Sequence, residues 1–256
     1  MKLAYRVAGS GQPLIILHGL FGQSDNWNSL AKHFSEQGFQ VFTIDQRNHG
    51  LSPHSEVWTY EAMADDLYEF IKEQGLKRPV LLGHSMGGKT VLFFQKKYPG
   101  LADKLIIADM SARAYPAHHQ SVLDALHAVN FDAIENRKQA EEVMNTYITD
   151  FGTKQFLLKN IYWKEGEEKR MAWRFNLAVI SRDYDEVRVP LPFYTSEIPV
   201  LIIRGEKSNY VEERDVQDFQ QRFKNLQLIT IAEAGHWIHA EKPQDFSKAV
   251  LGFIQV

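Results

Sequence analysis

The first hundred residues alternate between short, wholly apolar runs and longer stretches in which apolar residues recur at helical spacing. Leu14-Ile15-Ile16-Leu17, Val41-Phe42-Thr43-Ile44, Val80-Leu81-Leu82 and Leu105-Ile106-Ile107-Ala108 are strand-length and bounded by glycine, proline or charge. Runs of this kind, apolar at every position, are the mark of strands buried on both faces. Between them Trp27, Leu30, Ala31 and Phe34 fall at i, i+3, i+4 and i+7, and Met63, Ala64, Leu67, Phe70 and Ile71 repeat the spacing, so both stretches read as crossover helices. The alternation predicts an α/β fold with a mostly parallel sheet and helices on both faces. From Tyr115 to about Pro192 the pattern changes. Helical spacing continues, as at Val122, Leu123, Leu126 and Val129, but no buried strand is evident, and an all-helical insertion is expected. After Pro190 and Pro192 turn the chain, Val200-Leu201-Ile202-Ile203 and Leu228-Ile229-Thr230-Ile231 resume the strand pattern, and a terminal helical stretch follows. The organisation is therefore a core of residues 1–114 and 193–256 interrupted by a helical cap, 115–192.

Composition narrows the function classes. The 256 residues are 44% hydrophobic and 24% charged, enough to bury a sizeable core and unlike a disordered or fibrous chain. Lys plus Arg at 29 against Asp plus Glu at 32 leaves a net charge of −3, with no basic stretch dense enough to follow a phosphate backbone, so nucleic acid is not an expected partner. There is no cysteine, which removes disulfides, thiolate nucleophiles and sulfur-ligated zinc. The start, Met1 to Ala8, lacks the apolar run of a signal peptide, and no stretch reaches the roughly 18 apolar residues of a membrane span. A cytoplasmic protein is expected, with the oligomeric state left open between monomer and dimer. The charged run from Lys164 to Arg170 reads as a solvated loop or helix end.

The chemistry is carried by Gly83-His84-Ser85-Met86-Gly87, a G-x-S-x-G between the strand at 80–82 and the helical pattern beginning near Lys89. A serine at this place sits on a sharp strand-to-helix turn, where a side chain at 83 or 87 would strike neighbouring backbone. The turn exposes the hydroxyl and aims the first helical amides, Met86 N–H among them, at charge developing on a carbonyl oxygen. A serine hydroxyl also needs a base. Gly235-His236-Trp237 follows the last apolar run on a loop, which makes His236 the candidate, whereas His239 falls toward the terminal helix and a structural role.

Three further segments carry a family resemblance. His18-Gly19-Leu20-Phe21-Gly22 follows the first strong strand. Asp45-Gln46-Arg47-Asn48-His49-Gly50-Leu51-Ser52 is similar to a D-x-R-G-x-G-x-S turn with Asn48 in place of the usual glycine. Ala234-Gly235-His236-Trp237-Ile238-His239-Ala240-Glu241-Lys242-Pro243 closes the set. Together with the serine motif these resemble the α/β-hydrolase fold along nearly the whole chain, and within it the small bacterial YbfF-like esterases. The resemblance implies a mostly parallel eight-stranded sheet flanked by helices with a helical cap. It implies an oxyanion hole made by the amides of Leu20 and Met86, no cofactor or metal, and a small acyl ester or thioester as substrate.

The third member of the triad departs from the commonest family pattern. Gly205-Glu206-Lys207-Ser208 puts a serine where G-x-x-D would place the acid, and a hydroxyl cannot offset the charge of an imidazolium. Asp109, at the end of the strand 105–108, is the preferred acid, in the arrangement the YbfF-like group resembles. Ser208 is then a hydrogen-bonding neighbour. Glu206 is the rival, Asp215 a more distant one, and a strand-end cap is the plain structural alternative for Asp109.

Other readings compete. Residues 83–90 also satisfy G-x-x-x-x-G-K-T, a phosphate-binding loop in which Lys89 would meet phosphates while Thr90 and Asp109 held Mg²⁺. That reading leaves the segments at 18–22, 45–52 and 235–237 without a role. A non-catalytic ligand receptor on the same fold is a further class, disfavoured by the paired Ser85 and His236. A serine nucleophile also admits thioesterase, acyltransferase or carbon–carbon hydrolase chemistry. Arg113, Lys89 and Arg174 are basic residues available to an anionic group such as a coenzyme A phosphate. Phe131, Tyr147, Phe151, Phe156, Trp163, Trp173 and Phe175 in the insertion are aromatic residues that either line an acyl pocket or fill the core. The expected mechanism is hydrolysis of a carboxylic ester or acyl thioester through an acyl-enzyme, with Ser85, His236 and Asp109 as the triad.

Overall fold

The computed structural model describes residues 1–117, 119–164 and 170–255. Its main sheet contains β1 (Tyr5–Ala8), β2 (Gln12–Leu17), β3 (Phe39–Ile44), β4 (Val80–His84), β5 (Leu105–Ala108), β8 (Val200–Gly205) and β9 (Leu226–Ile231) in the order β1-β3-β2-β4-β5-β8-β9. All neighbours are parallel except β1 and β3. Every apolar run singled out in the sequence is one of these strands.

Successive side chains of each strand enter opposite faces. Ile15 and Leu17 join one apolar cluster, Leu14 and Ile16 the other. α1 (Asn28–Glu36) and α10 (Pro243–Ile254) cover the second cluster with Leu30, Phe34, Phe246 and Phe253. α2 (Tyr60–Glu73), α3 (Met86–Lys97) and α8 (Glu213–Arg222) cover the first with Met63, Leu67, Phe94 and Phe219. The Thr59 hydroxyl accepts the Ala62 N–H and starts α2, four residues before the stripe that begins at Met63.

Two expectations are corrected. The sheet has seven strands among the described residues, where the resemblance implies eight. Ahead of β1 the chain is committed elsewhere: Leu3 is buried in the core, Ala4 N–H donates to Ser52 Oγ, and Ala4 O accepts Asp45 N–H. β1, with Tyr5, Arg6 and Val7 exposed, is therefore the sheet edge. The insertion is also not all helical. It holds α4 (Gln120–Ala128), α5 (Arg137–Met144), α6 (Phe151–Leu158), the antiparallel pair β6 (Ile161–Lys164) and β7 (Arg170–Trp173), and α7 (Leu177–Arg182). Each of these strands has only four residues and one apolar face, Ile161 opposite Trp173 and Trp163 opposite Met171, too short a run for alternation to stand out. Of the charged run, Lys164 and Arg170 end these strands; 165–169 lie outside the described residues.

The sheet order decides where a site can form. From β2 the chain steps outward to β3 and then returns to the other side of β2 as β4. Loops leaving β2 and β4 thus diverge at their carboxyl ends, the crevice in which open α/β sheets bind ligands. The segments 18–22 and 83–87 leave the sheet there.

Candidate active site

Ser85 stands between β4 and α3 with φ 53° and ψ −121°, a backbone region that L-residues avoid. The two glycines make the turn possible. A Cβ at 83 would lie 2.2 Å from the Gly87 carbonyl oxygen, and one at 87 would lie 2.4 Å from that of Leu17. α3 begins at Met86, three residues before the sequence pattern shows it, because Gly87 and Gly88 carry no side chain to display the period.

Leu20 and Met86 line one cavity with Ser85, and among the described residues neither amide is taken up by another protein acceptor. The segment bearing Leu20 is fixed by the 45–52 turn. Phe21, at φ 59°, donates its N–H to His49 Nε2 at 3.2 Å, and His18 Nε2 accepts the Gln46 N–H at 3.0 Å. Burial holds both imidazoles neutral, lowering His18 to about 4 and His49 to about 3. Asp45 accepts the N–H groups of Ser24 and Leu51, while Arg47 makes a buried two-point pair with Asp66 at 2.6 and 2.9 Å. Asn48 has φ 64°, the conformation for which glycine is usual and which asparagine tolerates best among the rest. The turn is therefore scaffold for the loop that carries Leu20.

Parallel pairing of Ala108 with Ile203 sets Asp109 beside the end of β8. It too has positive φ, 49°, and its carboxylate is buried. Oδ2 lies 2.7 Å from His236 Nδ1 and also accepts the Ser208 hydroxyl; Oδ1 accepts the Gly205 N–H at 3.2 Å. Burial pushes its pKa up to about 7, against the opposing hydrogen bonds from Ser208 and Gly205 and the charge of Arg204. The structure thus brings Asp109 to His236 and Ser208 to Asp109. Glu206 is not: it is exposed and accepts the Glu233 N–H. Asp215 is engaged at the start of α8 and with Arg113.

The loop bearing His236 is pinned on both flanks by Glu241, whose carboxylate accepts the N–H groups of Gly235 and Trp237 at 2.7 and 3.1 Å. His84 Nε2 reaches the His236 carbonyl at 2.9 Å, and burial keeps that imidazole neutral, so Nε2 carries the donated proton. His239 lies in α9 (Ile238–Glu241), stacked on Trp27 with centroids 4.2 Å apart. It is buried and structural.

The phosphate-loop reading fails on geometry. Lys89 is fully buried and donates to the carbonyls of Arg113 and Val189, each at 2.9 Å, and the Thr90 hydroxyl bonds Gln46 and Met86 O. Both side chains turn into the core. The three basic residues do not form an anion clamp either: Arg113 pairs with Asp215 and Glu212, and Arg174 lies over the Tyr162 ring. None of the seven aromatics singled out in the insertion lines the cavity at Ser85. Phe131 and Phe156 line other cavities, Trp173 and Phe175 are buried, and Tyr147, Phe151 and Trp163 are exposed. The walls are instead Tyr60, Tyr115, Tyr184 and Tyr210, with Met110, Val187 and Arg188. Sequence reasoning missed these tyrosines because they come from four separate segments; for Tyr115, Tyr184 and Tyr210 the signal was nearness to the ends of the insertion and to the segment 205–208, and Tyr60 carried none. Among the described residues no three His, Asp or Glu side chains gather as metal ligands would, and no helix is long and apolar enough to cross a membrane.

A sheet of this order with a serine elbow at its crevice defines a hydrolase of the α/β class. Residues 12–160, more than half of the chain, match the family described as alpha/beta hydrolase fold, and the chain belongs to that family. It is 34% identical to esterase YbfF of Escherichia coli, covering 96% of this chain and 94% of that protein. It is 36% identical to the mouse sn-1-specific diacylglycerol lipase ABHD11, covering 94% and 80%. A solved structure of a marine microorganism esterase superposes with a TM-score of 0.94 at 38% identity, covering 98% of this chain and 99% of that one.

Proposed function

We propose that Ser85, His236 and Asp109 form the catalytic triad of a serine esterase, with the amides of Leu20 and Met86 as its oxyanion hole. The reaction is hydrolysis of ester bonds, the activity named for the bacterial and marine relatives. The observation that carries the assignment is the 2.7 Å contact of Asp109 Oδ2 with His236 Nδ1, which leaves Nε2 as the base. His236 Nε2 takes the Ser85 proton as Oγ attacks the ester carbonyl. The carbonyl oxygen gains negative charge between the two amides. Collapse expels the alcohol, protonated by His236, and leaves an acyl-serine. Water, deprotonated by the same imidazole, then releases the acid and regenerates Ser85. Throughout, Asp109 holds the tautomer and offsets the imidazolium charge.

The insertion acts as a cap, since Tyr115, His119, Tyr184, Val187 and Arg188 close over Ser85. The cavity they leave is small, about 30 Å³, which favours short acyl groups. Oxygen esters are favoured over coenzyme A thioesters because Lys89 and Arg113 are already engaged. The test is turnover of a p-nitrophenyl acyl ester series, with acyl-coenzyme A and ATP assayed alongside. Wild type is expected to prefer short oxygen esters, and Ser85→Ala to lose about 10⁴-fold or more in kcat. Ester turnover that survives Ser85→Ala would overturn the triad.

A further inference from the structure

The imidazole of His236 meets an aromatic ring on the side of the cavity. Tyr210 stacks on it with centroids 3.7 Å apart and planes 17° from parallel. On another side His84 lies 4.7 Å away at 41°. The Cβ–Cγ bond and the hydrogen bond from Nδ1 to Asp109 hold two points of a planar ring but leave its plane free to rock through small coupled changes in χ1 and χ2. Rotation of the ring plane would swing Nε2 away from Ser85. A face-to-face neighbour blocks that rotation.

Tyr210 is itself held at both backbone ends. Its N–H donates to Ser208 Oγ at 3.2 Å, the hydroxyl that also donates to Asp109. Its carbonyl accepts the hydroxyl of Tyr115 at 2.7 Å, and Tyr115 is anchored by its backbone to Arg188, N–H to O at 3.0 Å. Tyr115 and Arg188 lie near the two roots of the insertion. The ring that faces His236 is thus tied on one side to the acid and on the other to the segment over the site. An aromatic face also attracts cationic charge, so the contact persists when His236 becomes imidazolium in the proposed cycle.

We infer that Tyr210 is a positioning residue that sets the plane of the His236 ring, acting through its aromatic face and not through its hydroxyl. This rests on the triad reading above. Three variants separate the possibilities: Tyr210→Phe keeps the face, Tyr210→Leu removes it, and Tyr115→Phe keeps the ring but frees the Tyr210 carbonyl. The readouts are kcat and KM on two acyl lengths, the low-field proton resonance of the His236 Nδ1–H, and the thermal midpoint. A fluorophosphonate label tests the nucleophile independently.

Tyr210→Phe is expected within about twofold of wild type. Tyr210→Leu is expected to lose about 10- to 100-fold in kcat, the scale of a misplaced catalytic group. Its KM should move little on either substrate, and the Nδ1–H resonance should broaden. Tyr115→Phe should fall between. If Tyr210→Leu keeps wild-type kcat and a sharp resonance, or if its loss lies in KM and tracks acyl length, Tyr210 is only pocket wall and the inference fails. Equal losses in Tyr210→Phe and Tyr210→Leu would move the role to the hydroxyl and also overturn it. Should Tyr210→Leu not fold, Tyr115→Phe decides: an unchanged kcat and resonance refutes the inference. Failure of the triad is distinguishable, because it would show as fluorophosphonate labelling or turnover retained in Ser85→Ala, whatever Tyr210 does.

Discussion

The two walls of the cavity are built on different principles. The lower wall comes from strand ends. Ser85 lines it and Asp109 lies buried behind it, with backbone φ of 53° and 49°, and Asp109 is held in place by its own N–H to Ile203 O at 2.8 Å as well as by its carboxylate contacts. Strain of this kind persists only where the surrounding sheet over-determines it. The upper wall is side chain, most of it from the insertion, with Tyr60 contributed by α2. The hydroxyls of Tyr60, Tyr115 and Tyr184 are engaged with Val187 O, Tyr210 O and His119 Nδ1. On the proposed reading, chemistry sits on the over-determined strand ends and substrate shape on the wall dominated by the insertion.

That contrast can be broken first at the acid. Asp109→Asn should lower kcat by about 10²- to 10⁴-fold, because an amide cannot offset the imidazolium. Adding Ser208→Asp, at the position of the usual family acid, should recover part of the loss; stopped assays at several pH values measure both. No recovery would show that only the end of β5 presents a carboxylate correctly.

The same buried carboxylate makes pH the next lever. Asp109 titrates near 7 in the folded protein because burial disfavours its charge, against 3.8 when free. Below about 7 the Asp109–His236 pair takes up a proton, so kcat/KM is expected to fall on the acid side with a midpoint near 7. For stability the sign is opposite. The folded protein binds more protons than the unfolded chain between 3.8 and 7, so this group's contribution is fully present below 3.8 and is lost as the pH rises through 7. The thermal midpoint of Asp109→Asn should therefore exceed that of wild type more at pH 8 than at pH 4.

Lys89 joins the two walls. It lies one turn after Ser85 on α3, and its ammonium bonds the carbonyls of Arg113 and Val189, one at each root of the insertion. Burial lowers its pKa to about 7 from 10.5. Lys89→Met leaves two carbonyls without their donor, and a loss of about 1–3 kcal/mol is expected in denaturant titration. Faster amide exchange around 113–115 and 187–191, with less than a tenfold change in kcat, would mark it as a tie and not a catalytic group.

The smallest effect should come from the upper wall alone. Tyr184→Ala opens the cavity and is expected to shift preference toward longer acyl groups by several-fold in kcat/KM with no change in the acid limb of the pH profile. An altered acid limb would mean that the two walls are not separable.

Sheet strands, crossover helices and the serine elbow were legible from residue order, because each rests on local physics: apolar runs for burial on two faces, the 3.6-residue period for helices, and glycines where backbone approaches backbone. The β6–β7 pair was hidden by its brevity, since four residues per strand give too few alternations to stand out. Asn48 stood out in the chain as a departure, and its φ of 64° supplies the reason. Residues 83–90, by contrast, satisfied two motifs at once; the directions of the Lys89 and Thr90 side chains separate them.

What residue order decided on its own is the core strands, the crossover helices and the serine on its turn, since neighbours in the chain suffice to specify them. The partner of His236, the tyrosine walls and the tie at Lys89 were settled by tertiary structure. Those contacts join residues some 24 to 127 positions apart, and which of them meet depends on the strand order β4-β5-β8, a property of the packed sheet that no local pattern contains.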